Sequence, residues 1–206
     1  MADKEINYHQ FLRSRRSVRR FLALKVEDEK LSRILETALF APSAHNRQPW
    51  RFAIVTSEGV KTLLAKSLSG DFYADLIRDG VDKKVVENRV NLAIKRMIGT
   101  PVIIILCLDM SEMNKFDQNH QKEGEFEFLM GVQSVAAAGL QILLAAHAEG
   151  LSGFWSCSAL FSQKTIIVTL SLPDSWQPQA ILHLGYPAIS PKLKSLKSPN
   201  EITRYF

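Results

Sequence analysis

Cysteine is scarce in this 206-residue chain, whose two cysteines are Cys107 and Cys157. Two cysteines cannot build a disulfide framework or a multi-cysteine metal site. Both lie in apolar stretches, so we expect buried free thiols in a reducing, cytoplasmic compartment. The first ten residues, MADKEINYHQ, contain no apolar run, and we therefore expect no signal peptide.

The motifs of several large enzyme classes are also missing. The sequence has no G-x-G-x-x-G dinucleotide loop, no Walker A phosphate loop and no G-x-S-x-G nucleophile elbow. Its five histidines show no metal-ligand spacing, and His147 and His183 lie in apolar runs where hydrogen-bonded core histidines are expected. We therefore expect no metal site. The absence of an evident nucleophile or acid–base pair favours a protein in which a cofactor supplies the chemistry.

Basic residues are concentrated near the N-terminus. The net charge is +5, a mild bias toward anionic partners. Five of the eight residues in RSRRSVRR, from Arg13 to Arg20, are arginines. In an extended segment Arg15, Ser17 and Arg19 share one face, where guanidinium and hydroxyl groups suit a phosphate. A solvated basic surface is the alternative, and nucleic-acid binding is a weaker one because no aromatic residues are interleaved.

Helix-like and strand-like segments are mixed along the chain, without repeats or linkers. The segment 101–109 is an unbroken apolar run and indicates a central strand buried on both faces. We predict one α+β domain spanning residues 1–206. Its helices are expected at 8–15, 28–40, 57–68, the second half of 70–99, 131–148 and near 162–170, and its strands at 50–56, 101–109, near 154–158 and at 179–187.

Two segments point to a second copy of the chain. Residues 131–148 contain no charged side chain other than a histidine, but Gln133 and Gln141 and the lack of an aromatic belt argue against a membrane span. A helix that is apolar all round is a buried one, so we expect it both in the core and at a subunit interface. Residues 187–206 contain three prolines and little periodicity, and are expected to form an extended arm wrapping a surface.

The loop APSAHNRQPW, residues 41–50, precedes a predicted strand. It carries Pro42, Ser43, Asn46 and Gln48 between rigidifying prolines. Its side chains offer neutral hydrogen-bond donors and acceptors that suit a sugar-like chain or the edge of a heteroaromatic ring. A plain polar turn leading into a strand is an equally good interpretation.

The segment GLSGFW, residues 150–155, follows the apolar helix. Its glycines would let a flat ligand approach the backbone around Ser152 and Gly153. For Gly150 itself, a helix C-cap is the better interpretation.

Together these motifs resemble the nitroreductase-like FMN-dependent oxidoreductases. The resemblance rests on RRSVRRF, PSAHNRQPWRF, GLSGFW and HLGYP, which occur in this order over nearly the whole chain. Within the family, AHNRQPWRF, LLAAHAEGL and LPDSWQPQAILHLGYP are most similar to the FMN domain of a bifunctional protein of deazaflavin-cofactor biosynthesis. The resemblance implies an α+β sandwich with a central, mostly antiparallel sheet flanked by helices. It also implies an entwined homodimer with FMN at the subunit interface and the arm 187–206 wrapping the partner.

The resemblance further implies roles for individual residues. Residues 15–19 match the family's first FMN segment, in which Arg19 lies against the N1–C2=O edge of the flavin. Residues 42–48 match a loop that reaches the FMN of the other subunit, and 152–153 match the backbone beside the flavin ring. Lys197 falls where the family has a late phosphate-binding residue. The implied FMN-binding residues are Arg15, Arg16, Ser17, Arg19, Pro42, Ser43, Asn46, Gln48, Ser152, Gly153 and Lys197.

The implied activity is ping-pong hydride transfer from NAD(P)H through FMN to a small electron acceptor. Nitroaromatics, quinones and related conjugated compounds are the expected acceptors, with no nucleic-acid or membrane partner. A second implied activity is reduction of an unsaturated deazaflavin-cofactor intermediate, whose anionic tail would use the basic surplus. A third alternative is a non-enzymatic flavin-storage or regulatory module that binds nucleic acid through RSRRSVRR. A yellow protein that ignores DNA at moderate salt would exclude it.

Overall fold

A four-stranded antiparallel sheet lies at the centre of the computed structural model, which describes residues 7–191 and 194–206 apart from the side chain of residue 118. The strands are β1 (Trp50–Val55), β2 (Val102–Asp109), β3 (Ser152–Ser156) and β4 (Trp176–Gly185). The strand order is β1-β2-β4-β3, and all three pairings are antiparallel. Every residue of β2 is buried, as its unbroken apolar run predicted, because helices cover both faces of the sheet.

The side chains of β2 alternate between two hydrophobic cores. The described part of the chain has seven α-helices: α1 (Tyr8–Ser14), α2 (Asp28–Ala38), α3 (Glu58–Arg78), α4 (Lys83–Ile98), α5 (Gln121–Ala148), α6 (Gln163–Leu170) and α7 (Pro199–Ile202). Ile104 and Leu106 belong to the core that includes residues of α2 and α5. Ile103 and Ile105 belong to the core formed with α3, α4 and α6.

The long helix α5 packs directly on the sheet. A Cβ atom on Gly139 would lie 2.4 Å from the Trp155 ring and 2.5 Å from Leu106, so glycine allows this close approach. Among the described helices, α5 alone is long and apolar enough to cross a bilayer, but its contacts with the sheet make it a core helix. Its other face leaves Leu129 and Leu140 about half exposed.

Several elements differ in length from their prediction. Helix α3 continues to Arg78, and α4 begins after Asp82, whose carboxylate accepts hydrogen bonds from two N–H groups of the first turn. Helix α5 begins ten residues before Gly131, the predicted start, because charged residues on its exposed side hide the helical pattern there. Cys107 is buried as expected, but Cys157 is exposed, which corrects the prediction that both thiols are buried.

The C-terminal tail is mostly extended and exposed over residues 187–191 and 194–206, and residues 192–193 of the predicted arm lie outside the described residues. The N–H of Ala188 donates to the Arg20 carbonyl, which ties the start of the tail to the N-terminal segment. Beyond it, Leu196, Tyr205 and Phe206 expose most of their surface. The tail therefore presents apolar side chains that this chain does not cover.

Candidate functional site

The basic segment, residues 15–19, runs beside β3 as a short extended stretch. Ser17 forms a parallel bridge with Gly153, and the Val18 N–H donates to the Gly153 carbonyl over 3.2 Å. Because side chains alternate along an extended backbone, Val18 is buried while Ser17 and Arg19 are exposed. The predicted extended conformation is therefore present.

A cavity of about 430 Å³, here called the anion cavity, opens beside this segment. Its volume is within the usual range of small-molecule sites. None of its described lining residues is acidic, and none of its arginines forms a salt bridge in the described part of the chain. Clustered cations without a counter-charge favour an anionic ligand. The lining residues are Arg15, Arg16, Ser17, Val18, Arg19, Ile189, Ser190, Pro191 and Lys194.

His147, near the end of α5, lies close to the basic segment. The Ser14 hydroxyl donates to the Phe11 carbonyl, so the His147 Nε2–H donates to Ser14 Oγ over 2.7 Å. Burial, with the nearby Arg15 and Arg16 guanidiniums, lowers the pKa of His147 and favours the neutral ring. The hydrogen-bonded histidine expected from the sequence is therefore observed.

Arg19 turns toward β3. Its guanidinium carbon lies 5.4 Å from the centre of the Phe154 ring, within range of a cation–π interaction. Phe154 in turn stacks on His183, with ring centres 4.2 Å apart. The positive charge of Arg19 is thus positioned against the edge strand rather than extended freely into solvent.

Gly153 lacks a side chain because the core leaves no room for one. A Cβ atom there would lie 2.5 Å from Leu184 Cδ2, 2.6 Å from the His183 carbonyl oxygen and 3.1 Å from Leu143. Packing of β3 against β4 therefore requires this glycine, independently of any ligand that approaches its backbone. Gly150 follows α5 with φ +76°, the C-cap geometry that was predicted.

The polar loop is held in an unusual backbone conformation. The Gln48 N–H donates to Ser43 Oγ, and the Ala44 N–H donates to Ser134 Oγ on α5, each over 3.1 Å. Left-handed backbone at a non-glycine residue costs about 1–3 kcal/mol and persists where neighbouring contacts hold it. The loop residues with positive φ are His45, Asn46 and Gln48.

A second set of hydrogen bonds holds the same loop. Arg47 donates to Asn114 Oδ1 over 2.6 Å, and Asn114 donates twice to the buried carboxylate of Glu127. Neither Asn114 nor Glu127 was predicted from the sequence as a functional residue. The signal that could have identified Glu127 is the presence of an acidic residue among the apolar residues of a helix.

The structure separates the predicted residues into groups. Residues 15–19 line the anion cavity, and Gly153 adjoins them through backbone pairing. Residues 42–48 do not line that cavity, so within one chain they stand apart from it. Lys197 is exposed in the tail, and Lys194, which was not predicted, is a tail cation that lines the cavity.

The nitroreductase family model matches residues 12–186. A provisionally named NADH dehydrogenase/NAD(P)H nitroreductase of Methanothermobacter thermautotrophicus is 28% identical over 195 residues, which cover 93% of this chain and 83% of that protein. A BluB-like flavoprotein of Clostridium difficile superposes with a TM-score of 0.80 at 22% identity, over 98% of this chain and 100% of that one. A provisionally named nitroreductase in complex with FMN, from Desulfovibrio desulfuricans, superposes with a TM-score of 0.74 at 25% identity, over 98% of both chains. The predicted family and α+β fold are confirmed, and the chain belongs to the nitroreductase family.

Proposed function

We propose that this protein is an FMN-dependent oxidoreductase that takes reducing equivalents from NAD(P)H and passes them to a small conjugated acceptor, such as a nitroaromatic or a quinone. The observation that carries the proposal is the anion cavity, where Lys194 and the arginines of residues 15–19 face no carboxylate among the described lining residues. Relatives named as NAD(P)H nitroreductases, and a related structure that contains FMN, support the same cofactor and co-substrate.

The residues of the anion cavity fit the phosphate end of FMN. Arg15 and Arg16 are half-buried, and the Ser17 hydroxyl is exposed beside them. Guanidinium groups bind phosphate oxygens through two parallel N–H donors, and a hydroxyl adds a shorter donor. Partial burial strengthens these charge-assisted hydrogen bonds because less water competes for them.

When bound, FMN supplies the hydride transfer between NAD(P)H and the acceptor, so the chain needs no side-chain nucleophile. The chain itself binds and orients the cofactor. Arg15 and Ser17 would hold the phosphate, and Arg19, packed over Phe154, would supply a fixed positive charge for the flavin ring. The edge of β3 at Ser152 and Gly153 provides rigid backbone beside the ring.

The same proposal includes a homodimer of single-domain subunits, with residues 187–206 as the arm around the partner. Leu129 and Leu140 on α5, and Tyr205 and Phe206 in the tail, are apolar residues that one chain leaves exposed. Large exposed apolar surfaces are uncommon on monomers, so we expect an interface well above about 1,600 Å². The loop 42–48 would then serve the cofactor site of the other subunit. Sedimentation analysis showing a stable folded monomer at micromolar concentration would contradict this arrangement.

Stopped-flow spectroscopy tests the activity. The purified protein should be yellow, and NADH or NADPH should bleach the flavin absorbance. Reoxidation by nitroaromatic, quinone and deazaflavin compounds then ranks the acceptors, including the deazaflavin intermediate proposed as the alternative. A protein that binds no flavin, or binds DNA at moderate salt, would contradict the enzymatic proposal. A cytoplasmic location is part of the same proposal.

Arg15→Ala tests the phosphate site separately. Loss of a charge-assisted hydrogen bond costs about 1.5–3 kcal/mol, so FMN should bind roughly 10- to 150-fold more weakly. Arg13→Ala is the matched control, because Arg13 is exposed on α1 and does not line the anion cavity. Fluorescence titration of the apoprotein with FMN measures both constants. Equal constants for wild type and Arg15→Ala would show that the phosphate lies elsewhere.

A further inference from the structure

A second cavity, of about 330 Å³, lies between the helix pair α3–α4 and the end of β3, and is here called the helix-pair cavity. Its size is at the lower end of the range for small-molecule sites. Its walls are largely apolar and include one aromatic ring from a helix and one from the sheet. The principal apolar wall residues are Leu68, Phe72, Leu92, Met97 and Phe154.

Two arginines of α4 line this cavity. Arg89 and Arg96 are seven residues apart, which places them on one face of the helix about 10 Å apart along its axis. Neither guanidinium forms a salt bridge or a side-chain hydrogen bond within residues 7–191 and 194–206, and no acidic residue is among the described lining residues. An apolar cavity with two such cations is complementary to a ligand that is apolar over most of its surface and carries a negative group.

The histidine in the cavity wall does not change this charge balance. Burial, aided by the nearby Arg96, lowers the pKa of His183 to about 3, so its ring is neutral. The Thr100 hydroxyl donates to the Arg96 carbonyl over 2.7 Å, so His183 Nδ1–H must donate to Thr100 Oγ1, 3.0 Å away. The ring therefore offers Nε2 as a neutral hydrogen-bond acceptor.

The helix-pair cavity adjoins the proposed flavin site. Arg19 lines the anion cavity and lies over the ring of Phe154, and Phe154 lines the helix-pair cavity. The two cavities are therefore lined by side chains that contact each other. A ligand in the helix-pair cavity would lie next to the end of the basic segment that points away from the phosphate.

We propose that the helix-pair cavity binds the electron acceptor, and that Arg89, assisted by Arg96, selects acceptors with a carboxylate on an aromatic or conjugated ring. The apolar walls hold the ring, and the guanidiniums hold the carboxylate at the more exposed side. This inference rests on the proposed function, because it assigns the substrate class of that same activity.

Equilibrium binding tests the inference independently of turnover. The probes are 4-nitrobenzoate and 4-nitrobenzamide, which have nearly the same shape and differ by one negative charge at neutral pH. Isothermal titration calorimetry of the oxidised holoprotein should give tighter binding of the benzoate. Arg89→Gln should reduce the ratio of the two dissociation constants roughly 3- to 10-fold, as expected for a partly exposed ion pair.

Lys95→Gln is the matched control. Lys95 is an exposed cation on the same helix that does not line the cavity, so its loss should leave the ratio unchanged. The steady-state kcat/KM ratio for the two probes should follow the binding ratio in each variant. Arg96→Gln should shift the ratio in the same direction as Arg89→Gln, with flavin content recorded in parallel.

Equal affinities of wild type for the two probes would overturn the inference, and so would an unchanged ratio in Arg89→Gln. These failures differ from a failure of the proposed function. Flavin that nicotinamide reduces and a neutral acceptor reoxidises, with no preference for the benzoate, would retain the function and overturn the carboxylate site. A charge-selective binding site in a protein that never binds flavin would retain the site and overturn its assignment to an electron acceptor.

Discussion

Replacing Gly153 with alanine tests the junction between β3, β4 and the basic segment. The added Cβ atom would lie 2.6 Å from the His183 carbonyl oxygen and 2.5 Å from Leu184 Cδ2. The leucine side chain can rotate, but the carbonyl belongs to the β4 backbone. To reach an ordinary contact of about 3.4 Å, β3 must move away from β4 by roughly 0.8 Å.

The expected cost has two contributions. Overpacking of a dense core by one methyl group costs about 1–3 kcal/mol. The shift moves β3 toward the basic segment and distorts the hydrogen bond from the Val18 N–H to the Gly153 carbonyl, 3.2 Å long, which contributes about 0.5–1.5 kcal/mol. We therefore expect Gly153→Ala to lose about 2–4 kcal/mol of the free energy of unfolding. For a chain of this length, this loss lowers Tm by about 4–16 °C.

Circular dichroism of thermal and urea-induced unfolding measures this loss. Gly70→Ala is the matched control, because Gly70 is exposed on α3 and has no atom within 4 Å of the added Cβ position. Alanine in a helix is more stable than glycine by about 0.5–1 kcal/mol, so this control should raise Tm slightly. FMN affinity should fall in Gly153→Ala and stay at the wild-type value in Gly70→Ala.

A Gly153→Ala protein that unfolds within about 1 °C of wild type would refute the packing argument, because a methyl group added to a dense core typically costs about 1–3 kcal/mol. A protein that is destabilised but keeps its FMN affinity would refute the proposed coupling between the β3 edge and the basic segment.

Three other predictions concern charge. Arg19→Ala should lower the midpoint potential of the bound flavin by tens of millivolts, because a fixed cation favours the more negative reduced form. A tenfold change in the equilibrium constant of a two-electron reduction corresponds to about 30 mV. A spectroelectrochemical potential equal to that of the exposed control Arg20→Ala would contradict this prediction. Lys194→Ala should weaken FMN binding more than Lys197→Ala does, because Lys194 lines the anion cavity, and the reverse order in a fluorescence titration would assign the phosphate to Lys197. Burial lowers the pKa of His183 from its ordinary value of 6.5 to about 3, so its contribution to stability is complete above pH 6.5. That contribution is lost as the pH falls toward 3, by about 1.4 kcal/mol per pH unit. His183→Asn should remove that part of the pH dependence in urea unfolding measured between pH 7 and 4.

Local sequence patterns predicted the structural elements that are determined by a few neighbouring residues. The unbroken apolar run of β2 indicated a strand covered on both faces, and the Gly150 position indicated the end of α5. Both inferences succeed because the information lies within a few residues, in hydrophobic periodicity and in the backbone freedom of glycine. The ends of α3 and α5 were less predictable, since their exposed charged residues interrupt the helical pattern.

By itself, the sequence determined the family, the order of helices and strands, and the extended basic segment at residues 15–19, because these depend on composition and spacing along the chain. The tertiary structure alone decided which residues meet. It brought Lys194 to the anion cavity, placed Arg89 and Arg96 in one cavity with Phe154, and showed that Gly153 is required by the backbone of β4. Such contacts join segments tens of residues apart, and their geometry follows from how β3 and β4 pair and how α4 packs near them, which no local pattern records.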